Sequence, residues 1–286
     1  MRLIKIKVVV HLIFTLLLLT VSCQVDRDSQ KVDAKMVERN EIVRTDFQSI
    51  LDSAKVQGSI LVLHNNTFYS NDFAWAKKGQ LPASTFKIPN SIIALELGIM
   101  QDESSINYWD GNQYWLDVWE QDLSFKDAFH FSCVPCYQEI ARKVGVSNMI
   151  LYTSKFDYGK LQIDSTNLDL FWLEGASTIN SFEQIDFLKR FNEEQLEISG
   201  KTYSTMQRMM IIDETENYTL RGKTGWSIQN EQDNCWFVGY VTTKKATYYF
   251  ATNVVPSDKT NMEQLTAIRK DVTFSALKTM GISINP

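Results

Sequence analysis

YTLRGKTGWSI (218–228), NCWFVGYVT (234–242) and ATYYFATNVV (246–255) decide the fold. They are rich in β-branched and aromatic residues, and each is alternating or continuously apolar, as strands are. Thr243-Lys244-Lys245 is the polar turn between the last two. Toward the N-terminus, Gly58–His64 (GSILVLH) reads as another strand, Asn65-Asn66 as a turn, and Thr67–Trp75 as the strand that returns. Ile42, Val43, Phe47, Ile50 and Leu51 recur at helical spacing over residues 41–55, and residues 260–280 form an amphipathic pattern. Pro82 opens a helix that runs to Leu97 and is closed by Gly98. Residues 99–212 are mostly helical and loop-rich. The expected architecture is α/β (α+β): an antiparallel five-stranded sheet built from both ends of the chain and flanked by helices. A mostly helical region, about 99–212, is inserted within a domain spanning 41–286. A site at the seam between sheet and insert is the default expectation.

Composition bounds the function. The chain has 286 residues, of which 44% are hydrophobic, so it can bury a large core. Its 34 acidic residues against 29 basic ones give a net charge of −5, a poor basis for nucleic-acid binding. Three histidines and no HExxH leave little for a metal site. Residues 1–22 read as a signal peptide: Arg2, Lys5 and Lys7 precede an apolar run from Val8 to Val21. Ser22-Cys23 resembles a lipoprotein cleavage site, which makes Cys23 a candidate for lipidation, and residues 23–40 form a polar tether. The expected location is exported and periplasmic, with membrane contact only through the signal or a lipid anchor. Cys133-Val-Pro-Cys136 spells CxxC without a thioredoxin-like βαβ context. The two cysteines therefore read as small buried hydrophobes, with a structural bridge as the alternative. Oligomeric state is left open.

Three short motifs carry chemistry. In Ser84-Thr85-Phe86-Lys87, serine and lysine share one helical face one turn apart, so the amine can serve as base to a hydroxyl nucleophile. A second SxxK, Ser275–Lys278, reads as surface residues of the last helix. Lys223-Thr224-Gly225 places a lysine on a strand, with a glycine that admits a close backbone neighbour. Ser132-Cys133-Val134 on its own reads as a helix start with serine as N-cap.

The order SxxK, SxV with Pro135 and Tyr137-Gln138 after it, Tyr158-Gly159, Trp172-Leu-Glu-Gly175 and KTG resembles the class D (oxacillinase-type) serine β-lactamases. The resemblance runs from about residue 45 to the C-terminus. It implies a β-lactamase/transpeptidase-like fold and hydrolysis of a β-lactam through acyl-Ser84, with CO2 or bicarbonate needed to carboxylate Lys87 and no other cofactor. Carboxylated Lys87 would be the general base, held in a pocket of Phe86, Val134 and Trp172, with the Trp172 indole as donor. Ser132 would relay a proton to the leaving nitrogen beside Lys223. The Ser84 and Trp226 amides would form the oxyanion hole. Thr224, Gly225, Trp226 and Arg269 would bind substrate, Arg269 through its carboxylate. Tyr158 and Gly159 would shape a loop, where the family's Tyr-Gly-Asn reads Tyr-Gly-Lys160. The alternative reading is a non-hydrolysing β-lactam sensor or penicillin-binding protein.

Overall fold

The computed structural model describes residues 40–257 and 262–284. The signal peptide, Cys23 and nearly all of the tether expected from the sequence lie outside the described residues. In chain order the elements are β1 (Asn40–Val43), α1 (Thr45–Ser53), β2 (Val56–His64), β3 (Thr67–Ser70), α2 (Phe73–Ala76) and α3 (Lys87–Glu96). Next come β4 (Ile106–Asn107), β5 (Leu123–Ser124), α4 (Phe125–His130), α5 (Val134–Val144), α6 (Val146–Lys155), α7 (Ser181–Asn192) and α8 (Gly200–Met209). The chain closes with β6 (Ile211–Glu214), β7 (Tyr218–Gln229), β8 (Gln232–Thr243), β9 (Thr247–Pro256) and α9 (Met262–Thr279).

The main sheet has seven strands, in the order β1-β3-β2-β9-β8-β7-β6, rather than the five expected. The five expected strands form its antiparallel centre. The two additions are four-residue edges. β1 pairs parallel to β3, and β6 pairs antiparallel to β7 through a bulge between Ile211 and Asp213. Ile42 and Val43 fit the helical spacing of α1, yet both are exposed and extended, and the helix begins only at Thr45. Their β-branched side chains suit an edge strand, where the backbone gains a ladder. The expected strand 67–75 stops at Ser70. Asp72 then accepts the Trp75 N–H at 2.9 Å and caps the one-turn α2. Within the insert, β4 and β5 make a small separate antiparallel pair.

The central strands are apolar on both faces because both faces are covered. In β2, Ile60 and Val62 join Phe47 and Leu51 of α1 and Leu265, Val272 and Leu277 of α9 in one core. Leu61 and Leu63 join the helical insert on the other side. Gly58 shows how tightly β2 and β9 approach. Its φ is +146°, and a Cβ there would lie 2.1 Å from the Asn253 carbonyl oxygen. β6 pairs only as far as Arg221, so the following stretch of β7 is left for the insert.

Candidate active site

The segment leading to Ser84 is pinned from several sides. The Leu81 carbonyl accepts from Asn234 Nδ2 and Trp236 Nε1, both at 2.8 Å. The Ala83 N–H donates to the Trp172 carbonyl at 2.7 Å. Ala83 itself has φ +52°, a strained value for a residue with a Cβ, held by these neighbours. A short 3-10 turn, Ala83–Phe86, follows and α3 begins at Lys87. The expected helix from Pro82 thus opens with this tighter turn.

Ser84 and Lys87 meet as their spacing requires. Lys87 Nζ donates to Ser84 Oγ at 3.2 Å, and Lys87 is 1% exposed. Burial brings its ammonium down to about 7, because the charged form has lost its water. Aromatic rings wall this space. Phe86 stacks on Trp172 at 5.5 Å and meets Phe171 edge-on at 4.7 Å. Val134 is partly buried in the same cluster. The Trp172 indole Nε1 is buried with no hydrogen-bond partner among the described residues. Such an orphaned donor costs about 1–3 kcal/mol.

The second serine–lysine pair comes from residues 91 positions apart. Lys223 Nζ donates to Ser132 Oγ at 2.5 Å and to the Thr224 carbonyl at 3.0 Å. Burial first, then the Lys87 and Arg269 charges, hold Lys223 well below the usual lysine range. Ser132 is not the cap of α5: Cys133 is, its sulfur accepting the Cys136 N–H. The sulfurs of Cys133 and Cys136 are bonded to one another, so the reading of two separate small hydrophobes gives way to the bridge. Cys235 is the free, buried cysteine among the described residues.

Gly225 lets β7 pass the turn that carries Ser84. A Cβ there would lie 3.1 Å from Thr85 Cγ2 and 3.2 Å from the Thr85 nitrogen. Arg269 arrives from α9 and donates from Nη1 to the Gly225 carbonyl at 2.6 Å. It is 8% exposed, its Nε is buried without a partner, and burial lowers its pKa. Trp226 donates its indole N–H to Asp233 at 2.6 Å and lies 5.6 Å from Trp115 of the insert. Gly159 packs where a Cβ would meet the Thr178 carbonyl at 2.5 Å. Lys160 is exposed, and its loop is tied by main-chain bonds to Thr178 at 2.7 and 2.9 Å, which do not depend on the side chain at 160.

Two contributors are absent from the sequence reading. Gln184 of α7 donates to Thr85 Oγ1 at 2.8 Å, Tyr158 OH lies 3.3 Å from the same oxygen, and all three residues are buried. This network backs the residue next to Ser84. A glutamine in an amphipathic helix gives no signal of that role. Trp115 is the other, a loop aromatic whose partner is 111 residues away in Trp226.

The arrangement has one hydroxyl with a buried amine one turn away, and a second hydroxyl–amine pair. A guanidinium joins the same strand, suited to an anionic ligand. Among the described residues no cluster of His, Cys, Asp and Glu could hold a metal ion. Residues 54–273 match the model of the penicillin binding protein transpeptidase domain. The chain is 36% identical to the β-lactamase OXA-48 of Klebsiella pneumoniae, over 76% of this chain and 83% of that one. A class D β-lactamase structure from Nostoc is 38% identical, with a TM-score of 0.79 covering 84% of this chain and 100% of that one. One from Sebaldella termitidis is 34% identical, with a TM-score of 0.81 covering 86% and 100%.

Proposed function

Because this chain belongs to the class D β-lactamases, within the penicillin-binding transpeptidase fold, we propose that it hydrolyses β-lactams through an acyl-Ser84 ester with carboxylated Lys87 as base. The observation that carries this reading is the buried Lys87 amine 3.2 Å from Ser84 Oγ. With a pKa near 7 much of it is neutral at physiological pH, the form that reacts with CO2. The resulting carbamate would supply a base stronger in charge than the amine. Trp172 Nε1, a buried donor lacking a partner, fits as its hydrogen-bond donor, and Phe86 and Val134 fit as its apolar wall.

The chain's own groups then have defined tasks. Ser84 Oγ gives up its proton and bonds to the lactam carbonyl carbon. The amides of Ser84 and Trp226 receive the oxyanion. As the C–N bond breaks, Ser132 passes a proton to the nitrogen, with Lys223 lowering the cost of its alkoxide character. Water then cleaves the ester and returns the proton to Ser84. Arg269, Thr224 and Gly225 hold the substrate carboxylate. By this activity the protein confers β-lactam resistance. From residues 1–23 we also infer export and lipid attachment at Cys23, which metabolic labelling with a fatty acid would detect.

The test is turnover of a chromogenic cephalosporin with and without bicarbonate, beside Ser84→Ala. Sustained turnover that rises with bicarbonate and is lost in Ser84→Ala is expected. A single stoichiometric burst, with a stable mass increase on Ser84, would mean a sensor or penicillin-binding protein instead.

A further inference from the structure

Ser132 occupies a strained joint between two helices. α4 ends at His130, and Ser132 takes φ +54°. The Ser132 N–H donates to the Phe129 carbonyl at 3.2 Å and the Cys133 N–H to the Ala128 carbonyl at 2.9 Å. These two bonds are those of a Schellman ending, whose left-handed position is usually glycine's. A Cβ there costs roughly 1–2 kcal/mol. The chain keeps one because the hydroxyl it carries meets Lys223. A strained residue stays in place only where its surroundings over-determine it. Upstream, the Schellman bonds do this. Downstream, Cys133 is tied to Cys136 and the first turn of α5 is closed covalently.

The two sulfurs differ in access. Cys133 is fully buried. Cys136 is half-buried and lines a cleft of about 650 Å³ with Pro135, Gln138, Met100, Trp109 and Trp119. An external thiolate would therefore attack Cys136 Sγ. The leaving sulfur, Cys133 Sγ, sits at the N-cap of the eleven-residue α5 and already accepts the Cys136 N–H at 3.2 Å. A thiolate released there is favoured by the helix terminus.

We propose that the Cys133–Cys136 disulfide is an accessible thiol-exchange site and a positioning element for Ser132, so that a small dithiol acting at Cys136 slows β-lactam turnover. This rests on the acyl-serine reading above. The thiolate bonds to Cys136 Sγ as the Cys133–Cys136 bond breaks. The second thiol of the reagent then displaces Cys136. The reagent leaves as its cyclic disulfide, and its two protons end on the two cysteines. Two thiol sulfurs cannot remain at bonding distance. Reduction removes the covalent closure of the first α5 turn, so Cys133, the residue after Ser132, loses the downstream tie that holds the strained joint in place. A displacement near 1 Å of a proton-relaying group costs up to about 100-fold.

The experiment uses the full chain, reduced with dithiothreitol, desalted and assayed with a penicillin. Peptide mapping after alkylation reports the state of the two cysteines. The expected result is a fall of about tenfold or more in kcat/KM, reversed by oxidised glutathione, with the alkaline limb of the pH profile displaced. Circular dichroism should show an intact fold at the assay temperature. Cys136→Ser should be slow and unresponsive to dithiothreitol. Should that variant fail to fold, the reduced wild type decides alone. Equal rates for oxidised and reduced protein would overturn the proposal, as would alkylation of both cysteines without reductant. An oxidised protein with no turnover at all would overturn the hydrolase reading itself.

Discussion

Replacing Trp172 by Phe targets one hydrogen-bond donor. An aromatic ring facing Phe86 is kept, smaller than the indole that stacks there at 5.5 Å, while the buried, unpartnered indole N–H is lost. If that N–H holds the Lys87 carbamate, the variant loses a hydrogen bond to a charged acceptor, worth about 1.5–3 kcal/mol. In equilibrium terms that is about 10- to 150-fold in CO2 affinity. The assay is initial turnover of a penicillin against bicarbonate concentration in CO2-depleted buffer. Half-saturating bicarbonate should rise at least tenfold, and saturating bicarbonate should restore most of kcat. Stability should move differently. Without CO2 the wild type carries an orphaned donor that costs about 1–3 kcal/mol, which offsets part of the cavity left by the smaller ring. The variant's Tm in CO2-free buffer should therefore fall by less than a buried Trp-to-Phe truncation of that volume would cause. An unchanged bicarbonate half-saturation, with kcat lowered at every concentration, would refute the donor role.

Lys87 makes a prediction about pH. Burial brings it to about 7 in the folded chain, against 10.5 for an ordinary lysine, so between those values the unfolded chain binds more protons and stability from this group rises with pH. In CO2-free buffer Lys87→Met should abolish turnover and yet raise Tm at pH 7.5, by an amount that shrinks toward pH 10; a uniform Tm difference would contradict the burial cost. In the wild type, kcat/KM should fall as pH drops through about 7, because the ammonium form takes up no CO2; a profile flat to pH 5.5 would exclude that amine. Gly225→Ala should keep the fold and lower kcat/KM roughly 10- to 100-fold, since its Cβ would press on the Thr85 nitrogen at 3.2 Å; thermal unfolding and kinetics read the two effects separately. Arg269→Gln should raise KM for a penicillin but not for its methyl ester; equal losses on both would show that Arg269 only supports the Gly225 carbonyl.

How far the molecule could be read beforehand depended on the range of each interaction. The five central strands were legible because each carries bulky apolar residues, as β2 does on both faces with Ile60, Leu61, Val62 and Leu63. The edge strands β1 and β6 were not, because four exposed or half-exposed residues become a strand only through the partner beside them. Ser84 and Lys87 were legible from one helical turn. Ser132 and Lys223 gained meaning only from the order of the motifs, and Gln184 had no local signal at all. The CxxC spacing serves a bridge and two free thiols equally well, so the pairing of Cys133 with Cys136 needed the geometry of the α5 turn.

The charges of the site explain why it sits at the seam. Lys87, Lys223 and Arg269 are at most 8% exposed, and none enters an ion pair among the described residues. A buried cation without a partner costs several kcal/mol or gives up its proton. Burial pushes both lysines toward the neutral form, Lys87 down to about 7. Here the sheet supplies Lys223, α3 supplies Lys87, the insert supplies Ser132 and the C-terminal helix supplies Arg269, and among the described residues no carboxylate forms an ion pair with any of the three cations. The charge that stays, on the Arg269 guanidinium, must then be offset from outside the chain. In the proposed reaction the carboxylate of a β-lactam would provide it and a carbamate formed on neutral Lys87 would add a second anion, and both would stabilise the folded protein by mass action as they bind.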